Sequence, residues 1–241
     1  MRNNYWLLRH GRSKANEAGI IVSSLANGLK QEFALTAKGQ QQATAAGKLL
    51  AAQLAALATS SINGPEAPGC FAVETQETKA AALGSRPARA ETATQPGSAA
   101  AERQLFMYSS PFSRAFETAS LAAAELGFQS CDPRLQVAPE LRERFFGDAL
   151  ELQSDSNYPR VWQQDANDLT VGPSGGGESV MDVSVRLQQL FSRLEQQHAG
   201  CNILLVAHGD TLSILWATLE TNDLKAHRQH GLQTGELRRL F

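Results

Sequence analysis

The chain has 241 residues, of which 42% are hydrophobic, and a formal net charge of −2 from 22 basic and 24 acidic residues. This length fits one large domain or two small ones and is enough to bury a substantial core. The near-neutral charge excludes a nucleic-acid binder that depends on bulk positive charge, and it equally excludes an acidic disordered chain.

The cysteine pattern and the hydropathy of the chain bear on its compartment. Three widely spaced cysteines, Cys70, Cys131 and Cys201, form no C-x-x-C pair, which favours buried thiols in a reducing compartment over disulfides or a zinc knuckle. No run of about 18 apolar residues predicts a membrane span, and the N-terminus does not resemble a signal peptide. We expect a cytoplasmic protein without a membrane partner. A transit peptide removed ahead of the first residue is compatible with this sequence.

The N-terminal part of the chain predicts a strand, a loop and a helix. Tyr5–Leu8 is short and apolar, as a buried strand is. Residues 11–35 lack periodicity and predict a long loop with one helical turn. Thr36 then resembles an N-cap for an amphipathic helix to about Ala58. The apolar residues on its face are Ala43, Ala46, Leu49, Leu50, Leu54 and Leu57.

The segment from about 59 to 103 differs in composition from the rest. It is rich in Gly, Pro, Ser, Thr and Ala and poor in large apolar residues. Such a segment cannot offset its ordering entropy by burial. We therefore predict a single domain over 1–241 that carries a disordered, low-complexity insertion at about 59–103.

The remainder again alternates strands and helices. Strands are predicted at 105–108, 134–137, 203–207 and 236–241, and helices at 111–126, 157–165, 180–194 and 211–219. A Gly-rich turn at 172–177 precedes the third of these helices and lacks the Gly-Lys-Ser/Thr of a P-loop. This alternation predicts an α/β fold with three layers, in which helices cover both faces of a mostly parallel sheet.

Three predicted strands end in cationic or titratable side chains. These are Arg9, His10, Arg114 and His208. Ligands bind at the carboxyl ends of parallel strands, so the four side chains should meet in one cleft. Local positive charge in a slightly acidic protein suggests a small anion, and a guanidinium fork suits phosphate oxygens. One histidine can attack phosphorus while the other donates a hydrogen bond. Flanking cations would keep the attacking imidazole neutral.

Attack on a phosphomonoester also needs an acid for the leaving oxygen. Glu140 and Glu143 follow the third predicted strand and are the candidates. Partial burial and a bound dianion would raise the pKa of such a carboxyl group, as a general acid requires.

Five segments together resemble the histidine phosphatase superfamily, in its phosphoglycerate mutase-like branch. They are R-H-G-R-S-K-A-N at 9–16, S-P-F-S-R-A-F-E-T-A at 110–119, L-R-E-R-F-F-G at 141–147, G-G-E-S at 176–179 and A-H-G at 207–209. The order of the segments matches the family, and the resemblance covers almost the whole chain outside 59–103. R-H-G alone is a weak signal, whereas five motifs in order are a strong one.

The resemblance implies a phosphoglycerate mutase-like fold and a role for each matched residue. His10 would carry the phosphoryl group, and Glu143, two residues after Leu141 and four before Gly147, would be the proton donor in preference to Glu140. The phosphate-binding residues would be Arg9, Asn16, Arg114 and His208. No metal is expected, because the sequence has no H-E-x-x-H or paired-Asp pattern.

Departures from the mutase pattern favour a phosphatase over a mutase. Ala15 precedes Asn16 where mutases carry Trp, and acidic residues at 148–151 replace positive charge. We therefore expect a metal-independent phosphatase of a phosphorylated small molecule or phosphoprotein, with no cofactor. The alternatives are a phosphoglycerate mutase, which would need 2,3-bisphosphoglycerate, and an inactive phospho-ligand binding relative. The latter should have lost His10 or Glu143, and both are present.

Overall fold

The computed structural model describes residues 1–62, 104–129 and 131–240. The main compact unit comprises Met1–Leu54 and Arg103–Phe241, and a second unit comprises Ala55–Glu102. Within the second unit the described residues are 55–62, which form the end of a long helix. Most of the predicted insertion therefore lies outside the described residues, and the one-domain interpretation stays a prediction.

The main unit is built on a five-stranded sheet. Its strands are β1 (Asn4–Arg9), β2 (Leu105–Ser109), β3 (Leu135–Val137), β4 (Asn202–Ala207) and β5 (Leu237–Arg239). Their order is β3-β2-β4-β1-β5, and all neighbours are parallel except the β1–β5 pair. β4 is buried along its whole length, as the central strand of a sheet covered on both faces should be.

Seven α-helices connect or cover the strands in the described ranges. They are α1 (Lys14–Ala18), α2 (Leu25–Gly28), α3 (Ala37–Ile62), α4 (Ser113–Glu125), α5 (Tyr158–Asn167), α6 (Val180–Gln197) and α7 (Gly209–Trp216). Short 3-10 helices lie at Gln31–Phe33, Pro139–Leu141, Asp155–Asn157 and Leu224–His230, and a π-helical turn spans Ala217–Thr221.

The alternation of side chains along the strands sorts the helices into two layers. Tyr5 and Leu7 of β1 pack in one core cluster with the apolar faces of α6 and α7. Trp6, between them in the sequence, points the other way and donates its indole N–H to Gln53 of α3 at 2.8 Å. α4 lies on this second side, where Gly47 of α3 approaches its backbone. The predicted three-layer α/β/α arrangement is confirmed.

Most predicted elements in the described ranges are confirmed, with shifts of a few residues at their ends. The Thr36 hydroxyl accepts a hydrogen bond from the Gly39 N–H at 3.2 Å and caps α3 as expected. Six apolar residues recur at helical spacing along α6, and all are buried: Val180, Val183, Leu187, Leu190, Phe191 and Leu194. In each case the signal is local, either a cap or a helical repeat.

Four details of the prediction were wrong. The stretch 11–35 holds two short α-helices and a 3-10 helix, each too short to produce a periodic pattern. α3 continues to Ile62, past the predicted end at Ala58, and its Leu49 is 48% exposed. Cys131 is exposed in the connection before β3, and Cys201, directly before β4, packs against the edge of the core and is only partly buried.

No helix in the described ranges is long and apolar enough to span a membrane.

The start of α3 packs against the turn that follows β1. A Cβ atom on Gly11 would overlap the backbone of Gly39, and a Cβ on Gly39 would overlap the carbonyl of Arg12. Neither glycine has a positive φ angle, so the requirement is for space and not for an unusual backbone conformation. The two glycines let helix and turn approach at backbone contact distance.

We predict that Gly39→Ala destabilises the protein by about 1–3 kcal/mol, although alanine is the better helix former by about 1 kcal/mol. The reason is that the added methyl group must displace the 11–12 backbone. Urea unfolding of the variant measures the effect, with Lys38→Ala, at an exposed neighbouring position, as the control. A Gly39→Ala protein as stable as the wild type would show that the turn is free to move.

Candidate active site

The carboxyl ends of β1, β2 and β4 meet at one edge of the sheet. The pairing of β1 with β4 puts Arg9 beside Ala207, and the His10 N–H donates to the Ala207 carbonyl at 3.0 Å. The Ser110 N–H donates to the Val206 carbonyl at 2.9 Å. The sheet therefore brings the residues after three strands into one cluster, as the sequence predicted.

His10 is buried, with its ring oriented by hydrogen bonds at both nitrogens. Nδ1 lies 2.8 Å from the Gly11 carbonyl, which only an N–H can satisfy, so Nδ1 carries the proton. Nε2 accepts a hydrogen bond from Arg114 Nε at 3.2 Å, so its lone pair points toward the Arg114 guanidinium. Burial, followed by the charges of Arg114 and Arg9, lowers the pKa of His10 well below 6.5. His10 is thus a neutral imidazole whose unprotonated Nε2 faces Arg114.

Two guanidinium groups flank His10, that of the buried Arg114 and that of the partly buried Arg9. Arg114 is 4% exposed and donates through Nη2 to the Val22 carbonyl at 2.9 Å, which fixes its plane. Arg9 donates through Nη1 to the Leu232 carbonyl at 2.6 Å and lies over Gly209, where a side chain would crowd it. Both arginines are anchored at one end of the guanidinium and keep further N–H groups for other partners.

The second histidine completes the cluster. His208 is fully buried, and its ring lies edge-on to His10 with centroids 5.1 Å apart. Nε2 is 2.8 Å from the Ser110 hydroxyl, which already accepts from the Phe112 N–H and so has its own proton to give. This arrangement assigns the ring proton of His208 to Nδ1. Burial and the nearby cations lower the pKa of His208 well below 6.5.

Three buried donor atoms in this cluster have no hydrogen-bond partner among the described residues: Arg9 Nε, Arg114 Nη1 and His208 Nδ1. Buried donors without partners are rare because each costs about 1–3 kcal/mol. Three of them around one histidine indicate a site for an anion with several acceptor oxygens.

Glu143 lies against the same cluster. It is 8% exposed, and its Oε1 accepts from the Arg144 N–H at 3.0 Å and from Thr211 Oγ1 at 3.2 Å. Its Oε2 is 3.8 Å from His208 Nδ1. Burial, helped by the charge of Asp210, raises the pKa of Glu143 above its usual range, against the opposing effect of Arg114. A carboxyl group that holds its proton beside an anion site can donate that proton.

Glu140, the other candidate acid, points elsewhere. Its carboxylate pairs with Arg193 of α6 at 2.8 Å, on the partly exposed side of the segment. The Arg186 guanidinium donates to the Glu140 carbonyl and is held by Glu178, which also binds Arg142. Glu178, in the G-G-E-S segment, thus fixes the backbone that carries Glu143.

Asn16 makes a local contact through its side-chain oxygen, and its predicted contact with phosphate stays a prediction. Its side-chain oxygen accepts from the Ser13 N–H at 3.0 Å and the Ser13 hydroxyl at 2.9 Å, forming the capping box of α1. In the described structure no hydrogen bond joins Asn16 to the His10 cluster. The structure thus brings together five of the six predicted residues, and the sixth shapes the turn that follows His10.

Sequence reasoning missed a buried charge network beside Glu143. Arg144 is fully buried and binds Asp165 through two hydrogen bonds of 2.7 Å, with Asp210 at 3.2 Å. Arg228 binds the other oxygen of Asp210 at 3.0 Å. The partners lie far apart along the chain, so no local pattern could have paired them.

Tyr158 is a further neighbour that the sequence did not single out. Its ring packs edge-on against Phe146 at 4.9 Å and stacks on Trp162 at 5.3 Å. Burial, and then the negative charge of Glu143, raises the pKa of Tyr158, which places its hydroxyl within electrostatic range of the acid. No group of three or more His, Cys, Asp or Glu side chains in the described ranges could hold a metal ion.

The comparisons with known proteins identify the class to which this fold and site belong. The family model of the histidine phosphatase superfamily (branch 1) matches residues 82–240, and the chain belongs to this superfamily. The matched region contains Arg114, Glu143 and His208. His10 lies outside it, and the pairing of β1 with β4 joins it to the rest.

Two curated relatives share part of the chain. Phosphoglycerate mutase-like protein 4 of Arabidopsis thaliana is 33% identical over 116 residues, which cover 46% of this chain and 48% of the relative. Adenosylcobalamin/alpha-ribazole phosphatase of Escherichia coli (strain K12) is 33% identical over 91 residues, or 35% and 43% of the two chains. The chain thus matches less than half the length of each relative.

Solved structures show the same fold over nearly the whole chain. The mycobacterial glucosyl-3-phosphoglycerate phosphatase in complex with VO3 has a TM-score of 0.64 at 20% identity, over 98% of this chain and 91% of that one. The alpha-ribazole phosphatase of Shigella flexneri has a TM-score of 0.61 at 22% identity, over 98% and 89%.

The two neutral histidines predict a specific acid instability. Because their pKa values are below 6.5 in the folded protein, the unfolded chain binds more protons as pH falls below 6.5, and stability decreases. Each such histidine contributes a slope of up to ~1.4 kcal/mol per pH unit.

Urea unfolding between pH 7 and pH 5 measures this slope in the wild type and in His208→Gln. We expect the variant to have a clearly shallower slope, because one of the two buried imidazoles is gone. Parallel pH dependences in the two proteins would contradict the assignment of His208 as buried and neutral.

Proposed function

We propose that this protein is a metal-independent phosphatase that cleaves a phosphomonoester through a phosphohistidine on His10. The observation that carries the proposal is the set of three unpartnered donors around the His10 ring: Arg9 Nε, Arg114 Nη1 and His208 Nδ1. A phosphoryl group has three non-bridging oxygens for them to bind. The family membership and the phosphatases among the relatives support the same chemistry.

In the first step the Nε2 lone pair of His10 attacks phosphorus. An N–P bond forms while the bond from phosphorus to the ester oxygen breaks, and Glu143 gives its proton to that leaving oxygen. Arg9, Arg114 and His208 bind the oxygens of the transferring group, where charge-assisted hydrogen bonds stabilise the transition state. The Nδ1–H bond to Gly11 holds the ring in the orientation that attack requires.

In the second step water replaces His10 on phosphorus. The Glu143 carboxylate formed in the first step takes a proton from the water, an O–P bond forms, and the N–P bond breaks. Inorganic phosphate leaves, while His10 is again neutral and Glu143 again protonated. The proton balance closes within this pair of residues, so the proposed cycle uses no cofactor.

His10→Ala should abolish turnover, because it removes the Nε2 lone pair that attacks phosphorus. A phosphohistidine should form on the wild type from radioactive phosphate ester and should be labile to acid. Phosphate release and labelling measure both effects, with circular dichroism to verify the fold. Wild-type turnover by the variant would overturn the mechanism.

Glu143→Gln should slow hydrolysis of an alkyl phosphate by about 10²–10⁴-fold, the usual contribution of a general acid. The loss on para-nitrophenyl phosphate should be much smaller, since a phenolate departs without a proton. Single-turnover measurements of the phosphorylation step compare the two esters.

The matched control for this experiment is Glu140→Gln. This change removes a carboxylate that pairs with Arg193 on the surface of the same segment, and it should slow neither ester. Equal losses on both esters in the Glu143 variant would make Glu143 a positioning residue and not the acid.

A further inference from the structure

We infer that the substrate is the monoester of an uncharged alcohol and that a leaving group with a carboxylate is disfavoured. The inference rests on the proposed function and concerns the side of the site from which the leaving group departs. In-line attack by His10 places the leaving oxygen on the side of Glu143, so the charges around Glu143 meet the leaving group.

The net positive charge of the phosphate-binding cluster is neutralised by one phosphoryl dianion. Arg9 and Arg114 contribute two positive charges, and both imidazoles are neutral. A phosphomonoester carries close to two negative charges at neutral pH. Once the ester is bound, this cluster has no remaining charge with which to hold a second anion.

The cations beside Glu143 are already paired. Arg144 and Arg228 face Asp165 and Asp210, two positive charges against two negative. The Arg228 guanidinium also lies 3.7 Å from the centroid of the Trp162 ring, and the Trp162 N–H donates to Asp210 at 3.2 Å. Arg228 Nε has no hydrogen-bond partner among the described residues, but the guanidinium is held by a carboxylate and an aromatic face, and its single charge is matched within this network.

Other arginines near this segment are likewise engaged. Arg186 and Arg142 share Glu178 and donate to backbone carbonyls of the acid segment. Arg12, in the turn after His10, pairs with Glu17 at 3.6 Å. A carboxylate on the leaving group would have to break one of these pairs or remain without a partner.

Two aromatic side chains of α5 lie close to these charges: Tyr158 feels the charge of Glu143, and Trp162 hydrogen-bonds to Asp210. Tyr158 and Trp162 occupy successive turns of α5, stack on each other and are partly exposed. They offer van der Waals contact and the Tyr158 hydroxyl, which suits a neutral carbon skeleton with hydroxyl groups. Desolvation of a carboxylate beside these two rings would cost free energy, and the nearby cations, which are already paired, would not offset that cost.

Racemic glycerol 1-phosphate and racemic 3-phosphoglycerate test the inference, because they differ only in a terminal CH₂OH or carboxylate. Titration calorimetry with His10→Ala, which should bind without turnover, gives the two dissociation constants. We expect glycerol 1-phosphate to bind at least about tenfold more tightly, which is about 1.4 kcal/mol. Phosphate release by the wild type on both esters is measured in parallel.

Two variants in the His10→Ala background should shift the relative affinity for the two ligands in opposite directions. Asp210→Asn removes the carboxylate that pairs with Arg228 and should shift the relative affinity toward 3-phosphoglycerate. Arg228→Gln removes one of the two guanidinium groups that bind Asp210 and should shift the relative affinity further toward glycerol 1-phosphate. Because each comparison is between two ligands of one protein, general effects on the site cancel.

Equal affinities, or tighter binding of 3-phosphoglycerate, would overturn the inference whatever the turnover. A preference for glycerol 1-phosphate without phosphate release from either ester by the wild type would support the charge argument and overturn the proposed function. Failure of both esters to bind would overturn both.

Discussion

The burial of two guanidinium groups against two imidazoles is the constraint on which the rest of the site depends. Burial, reinforced by the charges of Arg114 and Arg9, keeps His10 and His208 neutral at the end of the sheet. Concentrated positive charge without a bound anion is costly, and the protein supports it with backbone carbonyls at one end of each guanidinium. The contacts within the fold, and not those with a ligand, therefore fix the orientation of the nitrogens that remain without partners.

The fold and most of the site were predictable because their signals are local. Thr36 precedes a helix by its capping chemistry, and the apolar repeat of α6 needs no partner to be recognised. The strand-end histidines stand out because a titratable residue replaces a turn residue there. The resemblance to a family then distinguished Glu143 from Glu140, which the residues alone left open.

What the sequence did not reveal depends on contacts between distant segments. Arg144 is one position from Glu143, yet nothing nearby in the sequence indicates that Asp165 and Asp210 neutralise its charge. An aromatic pair four residues apart on α5 is equally typical of a core helix. Asn16 illustrates the reverse case, in which a residue matched by motif makes its hydrogen bonds within its own helix turn.

The register of the sheet has a consequence for synthesis of the protein. β1 lies between β4 and β5, and Tyr5 is opposite Ile203. The strand that leads to His10 is thus synthesised long before its parallel neighbour β4. Until β4 is made, β1 is an apolar segment without this partner, so completion of the sheet depends on a long-range pairing, which slows folding and exposes apolar surface in the meantime.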